Sequence, residues 1–439
     1  MFPILWRVGL QSAAYVLVAI LPLGIAYFGV VREGRGFWIE FGVGLGMVAF
    51  ALLGMQFITT ARFRWVAPYV GSDAVIYFHR QAGILVLLIF LGHPLILFAA
   101  DPAYLAYLDP RVNFLRAVFL IAATVAVLLI VFLPLGGLRY GLSYEWWRLT
   151  HGLLAAAVLV VGLAHSLMVG HYVSGLAVQA SWVVATLIAL GLLIHVRIVK
   201  PLRMRRKPYR VVQVIPERGD VYVLVLEPDG HGGMTFAAGQ YAWLTLGETP
   251  FSLQQHPFSM LSSARVRERI EFAIKEAGDF TSTIKDVRPG TRAFLEGPYG
   301  AFRIDPRAEA TVLVVGGIGG TPALSMLRTA RDLGDRRPFV LIYGNVRRDE
   351  IIFRDELKML TNELELKVVH VLSEPEPQWT GESGNITKEI LDRHLAPLAD
   401  RDVQYFVCGP PPMMDLVEHA LLARGVPQWR LLSERFDFI

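Results

Sequence analysis

Long apolar stretches separated by short polar breaks fill the first 200 positions of the chain, and the remainder follows a different rhythm. Runs of spanning length lie at 8–31, 37–58, 74–100, 112–135, 146–170 and 172–199. Each is long enough to cross a hydrocarbon layer about 30 Å thick as an α-helix. Six such helices return both ends of the bundle to the same side of a membrane. From about 208 to 305 the pattern becomes alternation, as in Tyr209-Arg-Val-Val-Gln-Val-Ile, Val221-Tyr-Val-Leu-Val-Leu, Tyr241-Ala-Trp-Leu-Thr-Leu and Arg269-Ile-Glu-Phe-Ala-Ile-Lys. Short strands broken by Gly and Pro predict a small antiparallel barrel. From Thr311, apolar runs at 311–315, 338–343, 366–372 and 403–408 alternate with helical stretches at 321–334, 352–363, 387–395 and 411–424. That order predicts a parallel sheet covered by helices. The expected architecture is a multidomain membrane protein: a six-helix transmembrane domain at 1–200, an antiparallel β-barrel domain at 204–306 and an α/β parallel-sheet domain at 307–439.

Two of the apolar runs carry paired histidines, His79 and His93 in the third and His151 and His165 in the fifth, and both intervals are 14 residues. On an α-helix that interval rises about 21 Å and falls about 40° short of four turns, so both histidines of a run share a face. Helices three and five run in the same direction in a six-helix bundle, which pairs His79 with His151 and His93 with His165. A lone intramembrane histidine is usually a packing or hydrogen-bonding residue. The same interval repeated in two parallel segments points instead to ligation. Neutral imidazole binds iron, and a bis-histidine haem needs one nitrogen on each side of its plane. The spacing predicts two b-type haems stacked across the membrane. His171 and His195 lack the paired spacing and are read as structural. Arg80 has two readings, a partner for a haem propionate or an interfacial arginine that snorkels.

Composition sharpens this picture in three ways. Of 439 residues, 54% are hydrophobic and 18% charged, with mean hydropathy +0.45, too apolar for a soluble chain of this size. The net charge of +4 gives no reason to expect nucleic acid, but its distribution orients the bundle. Arg62, Arg64, Arg139, Arg148 and the run Lys200, Arg203, Arg205, Arg206 and Lys207 outweigh Arg32, Arg35 and Arg111, which lie beside Glu33, Asp101 and Asp109. The positive-inside rule then makes both termini cytoplasmic and the chain a multi-pass protein of the cell membrane. The single cysteine, Cys408, excludes an intramolecular disulfide and a thiolate metal cage. The first apolar segment is too long for a signal-peptide core and is read as retained.

The first turn of the α/β region reads Gly316-Gly-Ile-Gly-Gly-Thr-Pro322, and the fourth strand ends in Cys408-Gly-Pro-Pro-Pro-Met-Met414. Glycines after a strand let backbone amides approach a pyrophosphate, and the helix behind them favours negative charge. If strands one and four flank the point where the winding reverses, the two turns face one another across the ligand crevice. Cys408 there is either a nicotinamide contact or a small buried residue. Arg347 and Arg348 follow the second strand, Val340-Leu-Ile-Tyr-Gly-Asn345, which no acidic residue ends. That favours a 2′-phosphate, hence NADPH, with NADH tolerated. In the barrel, His256-Pro-Phe-Ser259 and Gly278-Asp-Phe-Thr-Ser282 read by themselves as ordinary turns, the second able to offer amides and hydroxyls to phosphate.

In this order the motifs resemble those of the ferredoxin-reductase superfamily, in the branch joined to ferric-reductase-type membrane domains that includes NADPH oxidases. The resemblance covers nearly the whole chain. It implies that His256, Pro257, Phe258 and Ser259 form a flavin motif, with Phe258 packed on the isoalloxazine and Ser259 reaching its reactive ring nitrogen. Gly278, Phe280, Thr281 and Ser282 would form the FAD pyrophosphate loop. Gly317, Gly319, Thr321 and Pro322 match the first nicotinamide nucleotide loop, and Cys408, Gly409 and Pro410 match the second. Phe436, rather than Phe438, would be the aromatic that covers the flavin. The implied catalytic set is Ser259, Phe258, Cys408 and Phe436, and the implied iron ligands are His79, His93, His151 and His165. Calcium-binding loops are absent, so calcium control is not expected.

The expectation is an NAD(P)H oxidase-type flavohaem enzyme: hydride from cytoplasmic NADPH to FAD, then single electrons through two haems to an acceptor beyond the membrane. Connections on that side are short, at about 32–36, 101–111 and near Gly170 and His171, which suits a small molecule, dioxygen giving superoxide. A ferric chelate, or a dedicated extracytoplasmic protein for which this chain is the electron-donating subunit, are the alternatives.

Overall fold

The computed structural model describes residues 2–29, 34–62, 72–135 and 143–435. It forms two compact units, one built from the long helices up to Val199 and one holding the chain from Lys200 onward.

The first unit contains six helices: α1 Phe2–Gly29, α2 Phe37–Thr60, α3 Ser72–Ala100, α4 Phe114–Leu135, α5 Tyr144–Val169 and α6 Leu176–Ile194. α6 continues through a π-helical turn, His195–Val199, into α7 Lys200–Arg205. Five segments are long and apolar enough to cross a membrane, Phe37–Thr60, Ala74–Ala100, Phe114–Leu133, Tyr144–Val169 and Leu176–Arg205, while Ser12–Phe28 is shorter among the described residues. Large side chains such as Leu88, Leu95, Leu115 and Leu187 point outward and exposed, which suits a lipid solvent. Two ends differ from expectation. α1 starts at Phe2 rather than at position 8, and the last helix starts at Leu176 because α5 stops at Gly170, whose φ of 66° is left-handed. The connection after α3 is itself a 3₁₀ turn, Pro102–Leu108, capped by the Asp101 carboxylate, which accepts from Ala103 N at 2.9 Å.

In the second unit, β1 Tyr209–Glu217, β2 Val221–Pro228, β3 Tyr241–Leu246, β4 His256–Ser259, β5 Ile270–Lys275 and β6 Arg292–Tyr299 pair antiparallel in the order β4-β3-β6-β1-β2-β5. An antiparallel bridge between Met260 and Phe272 joins the two outer strands, so the sheet curls closed. β4 and β6 were not legible as strands: one is four residues long and contains Pro257, and the other carries Gly297-Pro298. Between β5 and β6 lies the single turn α8, Asp279–Ser282.

The chain then forms β7 Ala310–Gly316, α9 Gly320–Leu333, β8 Phe339–Asn345, α10 Arg354–Glu363, β9 Leu366–Leu372, β10 Glu382–Ser383, α11 Lys388–Leu395, β11 Val403–Cys408, α12 Pro411–Ala423 and β12 Leu431–Ser433. Its sheet is parallel throughout, in the order β10-β9-β8-β7-β11-β12. Every residue of β7 and β11 is buried, as strands covered on both faces require. The winding reverses between β7 and β11. Barrel residues Val221, Val223, Val225 and Leu261 share one apolar cluster with Leu313, Leu324, Leu327 and Phe406, so barrel and sheet form a single packed body.

Candidate functional site

The two histidine intervals place their rings as the spacing requires. His79 faces His151 with ring centroids 6.2 Å apart, and His93 faces His165 at 6.3 Å. Imidazole nitrogen binds a transition metal at about 2.0–2.1 Å, so two rings ligating one ion from opposite sides stand roughly 6.3 Å apart, and both pairs fit that separation. α3 and α5 therefore run parallel, with one pair near each end.

The α3 rings are held by α2. His93 Nδ1 donates to Gly42 O at 2.8 Å, which leaves Nε2 with its lone pair. Thr59 Oγ1 gives its proton to Gln56 O at 2.8 Å and lies 3.0 Å from His79 Nδ1. That hydroxyl thus accepts from His79, again freeing Nε2 for a metal. α2 approaches closely because it is small at the contact: a Cβ on Gly46 would lie 2.7 Å from His93 Nδ1. The sequence signal for this was Gly42-Val-Gly-Leu-Gly46, a small-residue stripe of the kind that lets membrane helices meet.

Arg80 is exposed on α3. Arg62, Arg148 and Arg197 instead gather near His151, close enough for mutual repulsion, with Arg197 Nη2 donating to Arg148 O at 3.0 Å. Such a cluster suits the carboxylates of a tetrapyrrole. At the other end Glu40 accepts from Tyr172 Oη at 2.6 Å and from Arg35 Nε at 3.3 Å, and Arg35 Nη1 lies 3.4 Å from Tyr104 Oη.

In the barrel, β4 pairs with β3, setting Trp243 opposite Pro257 and Ala242 opposite Phe258. The Phe280 ring stacks on His256 at 4.2 Å and lies 6.2 Å from Phe258 at 20°. The two barrel motifs, 19 residues apart in sequence from Ser259 to Gly278, are thus neighbours, and β4 is a strand rather than a turn. Thr281 Oγ1 accepts from Ala277 N and Gly278 N at 2.9 Å and donates to Gly278 O, while Ser282 Oγ donates to Asp279 O. These hydroxyls build the turn themselves, and Thr281 occupies the amides of Ala277 and Gly278.

β7 and β11 are hydrogen-bonded neighbours, with Cys408 opposite Val315, and their turns touch. A Cβ on Gly319 would lie 2.5 Å from Cys408 O, and one on Gly409 would lie 2.9 Å from Gly316 N. Gly317 has φ +52°, a left-handed position. Thr321 Oγ1 donates to Ile318 O at 2.8 Å, and Pro322 is buried in the first turn of α9. Cys408 is buried. Tyr343, a residue the motifs did not reveal, donates to Gly317 O at 2.8 Å and fixes the turn from beneath. Burial pushes its phenol far above the ordinary value, so it stays a donor. Arg347 is half exposed and pairs with Glu350 at 3.0 Å and Asp349 at 3.5 Å, and Arg348 pairs with Glu376 at 3.7 Å. Phe436 and Phe438 lie outside the described residues.

Three family models match the chain in succession: "Ferric reductase like transmembrane component" over 45–162, "FAD-binding domain" over 210–303 and "Oxidoreductase NAD-binding domain" over 313–419. Among curated relatives, the reductase component of propane 2-monooxygenase from Mycolicibacterium goodii is 31% identical over 236 residues, 52% of this chain and 66% of the relative. NADH-cytochrome b5 reductase 1 of Debaryomyces hansenii is 32% identical over 168 residues, 37% of this chain and 59% of the relative. The chain thus spans about three fifths to two thirds of the length of these relatives. Similar solved structures include the ferredoxin reductase in carbazole 1,9a-dioxygenase, with TM-score 0.46 and 26% identity over 52% of this chain and 69% of that one. Another is a flavohemoglobin from Malassezia yamatoensis, with TM-score 0.49 and 18% identity over 92% of this chain and all of that one.

Proposed function

We propose that this oxidoreductase, a ferric-reductase-like membrane component fused to FAD- and NAD-binding domains of the ferredoxin-reductase type, carries electrons from cytoplasmic NADPH across the cell membrane to dioxygen, giving superoxide. The observation that carries this reading is the pair of histidine couples at 6.2 and 6.3 Å in the same chain as a nucleotide-binding turn and a flavin-type strand. FAD, when bound, would supply the conversion of a two-electron hydride into single electrons, and haem the one-electron chemistry beyond it.

The chain's own residues supply the rest. His79 with His151 and His93 with His165 would hold the two haems, and Gly42 O and Thr59 Oγ1 keep the α3 rings in the tautomer with a free Nε2. Arg62, Arg148 and Arg197 would neutralise the carboxylates at the His79 end. Phe258 and Ser259 on β4 would face the flavin, and the loop of Gly278, Phe280, Thr281 and Ser282 its pyrophosphate. Gly317, Gly319, Thr321 and Pro322 with Cys408, Gly409 and Pro410 would clasp the dinucleotide. Phe436 is proposed to cover the flavin.

Arg347 is the proposed contact for a 2′-phosphate. Its present partners are the exposed Asp349 and the partly buried Glu350, and because Arg347 itself is half exposed such pairs contribute only about 0–1 kcal/mol, so a phosphate dianion displaces them cheaply. NADH lacks that contact and would be tolerated. Arg347→Ala should then raise the KM for NADPH and leave that for NADH unchanged. Arginine at 62, 148 and 197 and the basic run after Val199 support a cytoplasmic position for that end and for both termini.

A ferric chelate is the second reading, favoured by the description of the matching membrane component. The test is one experiment on the purified protein with FAD: NADPH is added without oxygen while haem absorbance is recorded. Oxygen is then admitted with cytochrome c, with and without superoxide dismutase, beside an anaerobic arm with ferric chelate. Haem that stays oxidised under NADPH sinks the wiring. Rapid iron reduction with a dismutase-insensitive oxygen signal makes the protein a metal reductase.

A further inference from the structure

α9 begins at the glycine turn, and one of its faces is fastened to the seam that closes the barrel. Ser325, Arg328 and Thr329 are spaced so that they share that face. Ser325 Oγ donates to Ser262 O at 2.8 Å, and Thr329 Oγ1 accepts from Ala264 N at 2.9 Å. Arg328 Nη1 donates to Glu271 Oε2 of β5 at 2.7 Å and to Leu261 O at 3.3 Å. Its other edge forks onto Glu356 of α10, Nε to Oε1 and Nη2 to Oε2, both at 2.7 Å. All three charged side chains are mostly buried.

Leu261 lies two residues beyond Ser259 and next to Met260, whose bridge to Phe272 closes the sheet, and Leu261 N donates to Glu271 O at 2.7 Å. One guanidinium, carried on the helix that starts at the dinucleotide turn, therefore grips the continuation of the flavin-type strand, the strand that closes on it, and α10. A planar fork with five donors can make these contacts together, and an ammonium cannot.

We propose that Arg328 is a positioning residue for hydride transfer, fixing the register between the flavin-bearing strand and the nicotinamide-bearing turn. This rests on the flavin and nicotinamide roles given above. In that step the C4–H bond of the nicotinamide breaks and its electron pair and hydrogen form a bond to flavin N5. The nicotinamide leaves as a cation, and solvent supplies the proton that balances the reduced flavin. The rate depends steeply on the spacing of donor and acceptor, and a displacement of about 1 Å costs about 100-fold. The hydrogen bonds of Arg328 go to Leu261, Glu271 and Glu356, none of which belongs to the flavin motif or the glycine turn.

The test uses the full-length protein loaded with FAD, as wild type, Arg328→Lys, Glu356→Gln and Arg328→Met. Two quantities are read: hydrogen exchange at 261–264 without dinucleotide, and the limiting rate of flavin reduction with protiated and 4-deuterated donor. The Lys and Gln variants should bind FAD within about two-fold of wild type and exchange faster at 261–264. They should reduce flavin about ten-fold or more slowly, with an isotope effect retained and KM changed less than the limiting rate. Arg328→Met should lose more, and if it does not fold the other two carry the test. Faster exchange with a wild-type limiting rate would make the contact structural only and overturn the proposal, as would no change in either quantity. Failure of the wild type to reduce its flavin overturns the function proposed above instead.

Discussion

The helical unit and the reductase unit build their candidate sites from opposite materials. In the bundle, each site is a pair of side chains from two helices, and the apolar packing around them is divided into small clusters such as Leu87, Val127 and Val158. In the reductase unit, one large cluster runs from the barrel into the sheet, and the glycine turns after β7 and β11 are lines of backbone, where a side chain is mostly an obstruction. The contrast follows from the solvents. Lipid gives no hydrophobic reason to gather apolar residues, so the bundle is held by close helix contacts and by polar groups that must find partners. Water drives barrel and sheet into one body, which then positions glycine turns to within tenths of an ångström. Substitutions should accordingly fail by different routes: loss of a ligand in the bundle, and intrusion of an atom in the reductase.

The largest expected effect is in the bundle. His93→Ala or His165→Ala removes one of the two nitrogens proposed to hold a haem, and the bound haem should fall from about two per chain to about one. Reduction of any extracytoplasmic acceptor should be lost while NADPH still reduces the flavin. Pyridine haemochrome content per protein, beside flavin bleaching, reads both. A wild-type ratio near one would sink the pairing.

Next is an intrusion. Gly319→Ala places a Cβ 2.5 Å from Cys408 O, 2.8 Å from its carbonyl carbon and 3.0 Å from Gly409 N, all backbone atoms that have no rotamer to yield. The two dinucleotide turns must part. Flavin reduction at low NADPH should fall about 100-fold with FAD affinity unchanged. Gly317→Ala meets open space, so its cost is only the left-handed backbone, about 1–2 kcal/mol. Equal losses in the two variants would show that conformation, not the contact with Cys408, makes the turn.

Much of this was legible because periodicity reports on side chains. The 14-residue intervals, the six apolar runs and the βα alternation each appear in the fold within a few residues. The parallel sheet also places strands one and four side by side. What escaped was made at long range or by backbone. β4 hid behind Pro257 and its four-residue length. Arg328 meets Glu271 and Glu356 across 57 and 28 residues, and nothing local in α9 marks it. Tyr343 reads as an ordinary strand residue until the turn above it is in place. The hydroxyls of Thr281 and Ser282 invite a ligand in sequence, whereas in the fold they donate to their own turn.

A smaller effect sharpens the bundle side. Thr59→Val keeps volume but removes the acceptor for His79 Nδ1, leaving the tautomer of that ring unspecified. Loss of such an orienting partner typically costs about 10–100-fold in affinity, and the lower end is expected here because Trp147 also packs on the facing His151. Haem release to an excess of apo-acceptor should be faster from one site only. Unchanged release at both sites would mean that packing, and not Thr59, sets the ring.

The smallest effect belongs to the reductase and depends on pH. His370 sits in β9 beside the Tyr343 ring, centroids 6.1 Å apart, with Nδ1 buried and unpartnered. Burial first, and the positive charge of Arg354 second, hold its imidazole below the ordinary value. The ordinary value is about 6.5, so above it the ring is neutral in both folded and unfolded chains and contributes nothing to the balance. As pH falls below that value the unfolded chain takes up a proton that the folded one refuses, and stability declines until the folded value is reached. The loss is limited to about 1.4 kcal/mol per pH unit crossed, and each kcal/mol shifts a midpoint by about 2–4 °C in a domain of this size. Between pH 7.5 and 5.5 the temperature at which the solubilised protein releases FAD should therefore drop by a few degrees more in wild type than in His370→Gln, which stays neutral throughout. Other histidines titrate equally in both proteins and cancel in the difference. Parallel curves for the two would show that His370 is protonated as readily in the fold as out of it, and that burial beside Tyr343 does not govern this end of the sheet.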